Sequence, residues 1–574
     1  MIKDYNKFTL TGLLITQILL STVCLVHFFS LVSYLLHQGI PSWLFPVSVL
    51  IAIGLNVLLA GRLGTNIKSV TLAGALSLIA LTVSVFLAWF YFDLSWDGQA
   101  YHQAAVYNLG GQWNPFFSQL ETPDHINDPS VLFFPKGSWI FGAALLRLSG
   151  TVETGKAFNF IALFAAAGIV YTLCRSFKMP VWKSVLLTLF ILLNPVVWSE
   201  LTGYLNDGDL YLFLVIYLAS IILWLRDPKP VCISIVLMAA VCLVNVKFTG
   251  LVFFLVASFF VLIYLLFRGK SRIKAFLMSH LLTGLIAVFV FGFNPYVTNM
   301  LNRGNPLYPV LGSKAFPKGS DTNEKFETPK NMKGKNLLVR LFYANFGQPG
   351  NAPYNKEKNA TLAWPFTTGP DLWEAYDFQE TRVSGFGPYF GILLVLTLVI
   401  LIILLITVKD FRWPALVFFA GLCCCLSLSR HFWWPRFFPL LWLMPVLPLF
   451  LLWIVNDETL PGSSSHRRIK AAKTYSWLLA VTIGANGLIV AFIHMKWETE
   501  SSVTLRTQLE QLRERKRPIE IDYGKFKRSV EEKLNHWNIE FIPVTLKDCH
   551  DESHKLTSVV KGYPNQVWYR FPEN

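Results

Sequence analysis

About thirteen apolar runs, most of them near the ~20 residues needed to cross a ~30 Å hydrocarbon layer, recur along this chain of 574 residues. Backbone groups left unpaired in lipid cost several kcal/mol, so each run is expected to be helical. The expected cores are Phe8–Leu31, Trp43–Ala60, Val70–Tyr91, Phe158–Cys174, Trp182–Trp198, Leu210–Leu225, Val231–Val246, Leu251–Phe267, Ala275–Phe293, Phe390–Val408, Trp413–Leu428, Phe437–Val455 and Trp477–His494. The first run is too long for a signal peptide and lacks a small-residue cleavage pattern, so it reads as a retained helix. A single anchor and a tilted barrel of ~10-residue alternating strands are both excluded. The expected fold is an all-α polytopic membrane protein.

The net charge of +15 does not imply nucleic-acid binding, because most basic residues lie between apolar runs rather than on one water-exposed face. They report sidedness instead. With the N-terminus cytoplasmic, roughly nineteen Lys and Arg fall in short inner segments and about three in short outer ones. Seven of the eight cysteines lie inside apolar runs, leaving Cys549 without a partner for a disulfide framework.

Three outer segments are too long to be connectors: residues 92–157, residues 294–389, and a tail after His494. The chain therefore divides into a membrane part, 1–494, and an outer C-terminal part, 495–574. The tail reads as a small α/β domain, with helices near 501–516 and 525–536 and strands near 519–523, 539–546 and 566–571. Its Cys549, His550, Asp551, Glu552 and His554 have metal-ligand chemistry, but their spacing matches no closed zinc site and reads as a solvated turn.

Carboxylates and cations recur in the outer segments. Asp93 and Asp97 follow the third run beside Trp96, and from Gln99 to Leu109 the apolar positions fit a short helix on the membrane interface. Tyr101 and His102 lie on it. Asp97 is also placed to cap that helix, and Asp93 to mark where the span ends. Asp207 and Asp209 stand in the second outer turn, with Asp209 positioned as an N-cap. Lys136, Lys247, Arg430 and Arg436 supply positive charge at the same depth, where the charge bias predicts none. Opposite charges meeting at one outer surface suit a reaction on an anionic lipid. A phosphate leaving group needs charge stabilisation, and an acceptor hydroxyl needs one Asp as base.

The ordered series resembles the GT-C superfamily of membrane glycosyltransferases, among them protein O-mannosyltransferases and lipid A aminoarabinose transferases. The similar stretches are Asp93-Leu94-Ser95-Trp96-Asp97, Phe134-Pro135-Lys136-Gly137-Ser138-Trp139, Asp207-Gly208, Lys247-Phe248-Thr249-Gly250, Asn294-Pro295-Tyr296 with Gly304-Asn305-Pro306-Leu307-Tyr308-Pro309, and Trp434-Pro435-Arg436. The resemblance implies a GT-C-like bundle using a polyprenyl-phosphate-linked sugar. It further implies that the loop-one carboxylate, Asp97 or Asp93 with Asp97 preferred, is the base. Two extra spans precede the usual first one, the second Pro before Lys136 is missing, and the second outer turn lacks an Asp-X-Glu pair.

The expected activity is transfer of one sugar, with inversion, to a glycan, lipid or protein acceptor on the outer face of a bacterial inner membrane. Lys247 and Arg436 would hold the phosphate with Lys136 in reserve, Asp207 would orient the sugar or acceptor, and Arg430, His102 and Tyr101 complete the candidate set. No cofactor is required by this chemistry. If a divalent ion serves, Asp97, Asp207 and Asp209 are candidate ligands for Mg²⁺ or Mn²⁺. Three other readings compete. A transporter would carry mid-membrane charges and repeated halves, which the sequence lacks. A ligase or polymerase using lipid-diphosphate donors would rely on Arg430, His431 and Arg436. A noncatalytic assembly subunit would not need Asp97.

Overall fold

The computed structural model describes residues 7–58, 67–111, 113–117, 129–268, 270–310, 328–350, 359–363, 369–377, 379–455, 463–545, 555–558 and 566–572. The 549–554 cluster lies outside the described residues. Each of the thirteen apolar runs forms helix. Among the described residues, nine helices are long and apolar enough to cross a membrane. The runs at Trp43–Ala60, Trp182–Trp198, Val231–Val246 and Phe437–Val455 give shorter apolar helices, at Leu44–Leu58, Val181–Leu192, Pro230–Val246 and Pro439–Ile454. The second of these stops early because Asn194-Pro195 starts a separate short helix, Pro195–Glu200.

Outward faces leave large apolar side chains such as Phe86, Phe259, Leu282, Leu398 and Phe492 exposed, which suits lipid contact. The protein is a multi-pass membrane protein. Inside the bundle, Lys7–Leu35 crosses Ala157–Ser176 closely, with Gly12 against Gly168. Thr16 donates to the Ala165 carbonyl at 2.9 Å, and Thr172 donates to the Thr9 carbonyl at 3.1 Å. Small residues and hydroxyl bonds are how helices associate where lipid removes the hydrophobic drive.

The segments assigned to one side of the membrane gather at one end of the bundle. Arg226 reaches the Ser176 carbonyl and Lys473 reaches the Val455 carbonyl at one end, while Arg436 bridges loop one and the second turn at the other.

Loop one is itself helical. A π-helical turn, Gly98–His102, continues into a helix, Gln103–Gly110, and a buried helix spans Gly137–Ser149. The expected interface helix forms, but it does not lie on lipid: Ala105, Val106 and Leu109 are fully buried against protein. Val106 lies close to Gly142, and Gly110 close to Leu146, both on the Gly137–Ser149 helix.

The last apolar run and the first tail helix are one continuous helix, Ser463–Arg515, because no Gly or Pro interrupts residues 494–501. Residue 494 is therefore no break in the chain. The tail strands β1 (Ile519–Asp522), β2 (Phe541–Pro543), β3 (Lys555–Leu556) and β4 (Val567–Arg570) form a sheet of order β2-β1-β4-β3. β1 pairs parallel with β2, across the helix Lys527–His536, and antiparallel with β4. The tail core includes Phe92 and Leu94 of loop one, so the tail shares its core with the loop-one end of the bundle.

Candidate active site

Arg436 lies in the turn Trp433-Trp434-Pro435 ahead of the late helix, and its guanidinium is forked among three carboxylates from three separate connecting segments. Nη2 donates to Asp97 Oδ2 at 2.5 Å, Nε to Asp207 Oδ2 at 2.8 Å, and Nη1 to Glu380 Oε1 at 2.6 Å. Glu200 Oε1 stands 3.8 Å from Nε. Lys247 Nζ meets the other oxygen of Asp207 at 2.5 Å, above the Phe437 ring. Such a fork fits carboxylates and phosphates alike.

Local sequence explains each placement. Pro230–Val246 ends at Lys247, whose extended backbone makes a one-residue turn into Phe248–Arg268. A side chain at Gly250 would collide with the Leu243 carbonyl, so only Gly lets the second helix fold back here and present Lys247. Asn206 donates to the Val246 carbonyl at 3.1 Å, tying the second turn to that corner. The helix Asp207–Arg226 begins three residues earlier than the sequence predicts, because Glu200 accepts the Gly208 N–H at 2.7 Å and stabilises the helix N-terminus. Asp209 is consequently not an N-cap. It lies buried within the first turn, with Oδ2 lacking a hydrogen-bond partner.

Exposure distinguishes the roles. The Asp97 side chain is 21% exposed and Lys247 26%, whereas Asp207 is 1%, Glu200 2%, Glu380 8% and Arg436 10%. Asp97 and Lys247 thus form the accessible rim over a buried base. Asp97 makes no side-chain capping bond to the helix that follows, so the capping role does not apply. Burial pushes its carboxyl upward, but the charge of Arg436 and its hydrogen bond prevail and hold Asp97 below the ordinary carboxylate range. Burial and the neighbouring Asp207 push Glu200 well above that range.

The other predicted residues fall elsewhere. Asp93 is fully buried and neither marks a span end in solvent nor faces the rim. Its oxygens accept from the Ser95 N–H at 3.0 Å, the Ser95 hydroxyl at 2.6 Å and Gln103 Nε2 at 3.2 Å, which corrects its candidacy as base. Lys136 is also buried, with Nζ donating to the Leu132 and Phe134 carbonyls at 2.9 and 3.0 Å between the Trp113 and Trp139 rings. Burial brings its ammonium down to about 7, and a cation engaged this way is no phosphate reserve. Arg430 is exposed, outside the buried fork.

His102 Nδ1 accepts from Trp139 Nε1 at 2.6 Å, and Tyr101 stacks on its ring at 4.3 Å. Burial drops His102 to about 3, so it is a neutral imidazole carrying its proton on Nε2. Asp97, Asp207 and Asp209 do not form a ligand trio, since the first two both face Arg436. Among the described residues no group of three or more His, Cys, Asp or Glu is arranged to hold a metal ion.

Glu380 and Glu200 were not foreseen from sequence. The polar stretch Gln379-Glu380-Thr381-Arg382 shortly before the Phe390 run was the available signal for the first; Glu200, at the end of an apolar run, carries the same signature as Asp93. A small cavity beside Arg436 is lined by Ser199, Tyr376, Gln379, Glu380, Thr381 and Pro435, among others. Comparison with protein-family models, curated proteins and solved structures found no match.

Proposed function

We propose that this protein transfers a sugar from a polyprenyl-phosphate carrier to a hydroxyl acceptor on the outer face of the membrane, the plasma membrane of a bacterium, with the N-terminus inside and the tail outside. The observation that carries this reading is the Arg436 fork. It joins Asp97 of loop one to Asp207 of the second turn, with Lys247 alongside, all at the outer rim expected from the charge bias.

The two cations are held by carboxylates. A donor phosphate would compete for Arg436 and Lys247, and its arrival would release Asp97 from the guanidinium that lowers its proton affinity. Asp97 then accepts the proton of the acceptor O–H. The acceptor oxygen bonds to the anomeric carbon from the face opposite the phosphate, and the C–O bond to phosphate breaks with its electron pair leaving on the phosphate. Configuration at that carbon inverts. Arg436 and Lys247 stabilise the departing charge, an effect strongest in a site shielded from water.

The test uses full-length protein in lipid with a panel of polyprenyl-phosphate-linked pentoses and hexoses and a mixture of glycan, lipid and protein hydroxyl acceptors, and measures release of polyprenyl phosphate. Release by the wild type and none by Asp97→Asn is expected. Equal release by both, or none by the wild type with any donor, overturns the reading.

A further inference from the structure

The helix carrying Asp97 at its start has two occupied faces. One faces the bundle through His102 and Val106. The other, at the i, i+4, i+8 positions Gln99, Gln103 and Tyr107, faces the C-terminal domain. Gln99 Nε2 donates to the Ser558 carbonyl at 2.5 Å. Ser529 donates to Gln103 Oε1 at 2.7 Å, and Gln103 Nε2 passes the contact on to Asp93 Oδ2 at 3.2 Å. Arg528 stands over the Tyr107 ring. Just upstream, Trp96 packs edge-on against Phe526, and Phe92 and Leu94 lie within the tail's own core.

The junction is also electrically matched. Asp93 and Glu153 from loop one face Lys156, which pairs with Glu153 at 2.5 Å, and Lys533 from the tail, whose ammonium feels both carboxylates. Ser529, Gln103, Asp93 and Lys156 are all at most 1% exposed, and Lys533 6%. A side chain at Gly98 would collide with the Asp93 carboxylate, so the Asp93 loop and the start of the Asp97 helix are interlocked. Whatever holds Asp93 also sets where Asp97 stands, four residues on.

We propose that the C-terminal domain is a positioning element of the active site, with Ser529 and Gln103 as positioning residues that fix the helix bearing Asp97. This rests on the glycosyl-transfer reading for its catalytic half only. Groups that support a catalytic side chain act through geometry, and small displacements are costly: a shift of about 1 Å can lower turnover about a hundredfold.

The test compares full-length wild type, Ser529→Ala and Gln103→Glu in lipid. Gln103→Glu keeps the acceptor for Ser529 but sets a negative charge against Asp93. Backbone hydrogen exchange of residues 97–105 is measured alongside kcat and KM for whichever panel donor turns over. Expected are exchange raised about tenfold in that segment but unchanged in 157–176, and kcat lowered about tenfold with the donor KM within about twofold. Ser529→Ala removes one oxygen from the tail, so its global fold is the milder of the two to disturb. Exchange in 97–105 equal to wild type in both variants overturns the proposal, as does raised exchange with kcat unchanged. If no donor turns over, the exchange arm alone decides whether the tail holds this helix. The two claims therefore fail separately.

Discussion

Asp93 and Asp97 lie four residues apart on one loop and end in opposite surroundings. Asp93 belongs to a junction of two carboxylates and two ammoniums, fully buried, with its oxygens hydrogen-bonded to Ser95 and Gln103. Asp97 belongs to a rim cluster in which Arg436 bonds Asp97, Asp207 and Glu380, Lys247 pairs with Asp207, Arg382 stands 4.0 Å from Glu380, and Glu200, pushed toward its neutral form, lies 3.8 Å from Arg436. A closed cluster of this kind resembles other buried ion networks that fix an arrangement of chain. One that opens to solvent, as here through Asp97 and Lys247, retains capacity to exchange partners. The difference lies in the surroundings, since both are aspartates beside aromatic residues at the end of an apolar run.

The sharpest way to break the comparison is to remove the shared cation. Arg436→Met takes the guanidinium from Asp97, Asp207 and Glu380 and is expected to cost about 3–5 kcal/mol of stability with loss of transfer. Thermal unfolding in detergent checks this, and a midpoint equal to wild type would mean the fork is ornamental. Asp207→Asn, which frees Lys247 and one arm of the guanidinium, is expected to lower turnover about ten- to a hundredfold with a smaller loss of stability. Steady-state kinetics on the active donor would show it.

The junction carries its own pH signature. Burial raises Asp93 to about 6 from an ordinary 3.8, against the opposing charge of Lys156. With the folded value above the unfolded one, the associated stability is complete below about pH 4. It is lost as pH rises through about 6, an effect of about 3 kcal/mol. Asp93→Asn should flatten that part of the profile of unfolding midpoint against pH. The Gln103 amide can invert to accept from the introduced side-chain amide while still meeting Ser529, whose hydroxyl can accept as well as donate, so the variant keeps the bridge to the tail. A slope unchanged by the substitution would place the titration elsewhere. The smallest effect belongs to Arg430→Ala, expected to leave kcat/KM within about twofold because that side chain is exposed.

Much of the fold was legible because lipid imposes a simple rule: long apolar runs must be helices. All thirteen runs became helices, and three of the tail's four strands and its second helix fell within a few residues of expectation, whereas β3 was not foreseen. The errors were tertiary. The Gln99–Leu109 pattern fits a lipid interface as well as a protein one, and only the fold shows that Gly137–Ser149 and the tail cover it. Asp209 satisfied every local rule for an N-cap, but Glu200, distant by nine residues, supplied the acceptor. Lys136 stood in the right stretch yet turned to its own carbonyls. The convergence of Asp97, Asp207, Lys247 and Arg436 was foreseen from sidedness and order; Glu380 came from a long loop where charge patterning carries no distance information.

The most direct measurement is a single-turnover comparison of Asp97→Asn with Asp93→Asn, reading polyprenyl phosphate released from the donor that the wild type uses. Loss of roughly a hundredfold or more in Asp97→Asn, with Asp93→Asn within about tenfold of wild type, is the outcome expected for a base at the rim and a scaffold at the junction. The reverse order, or equal losses in both, would contradict it.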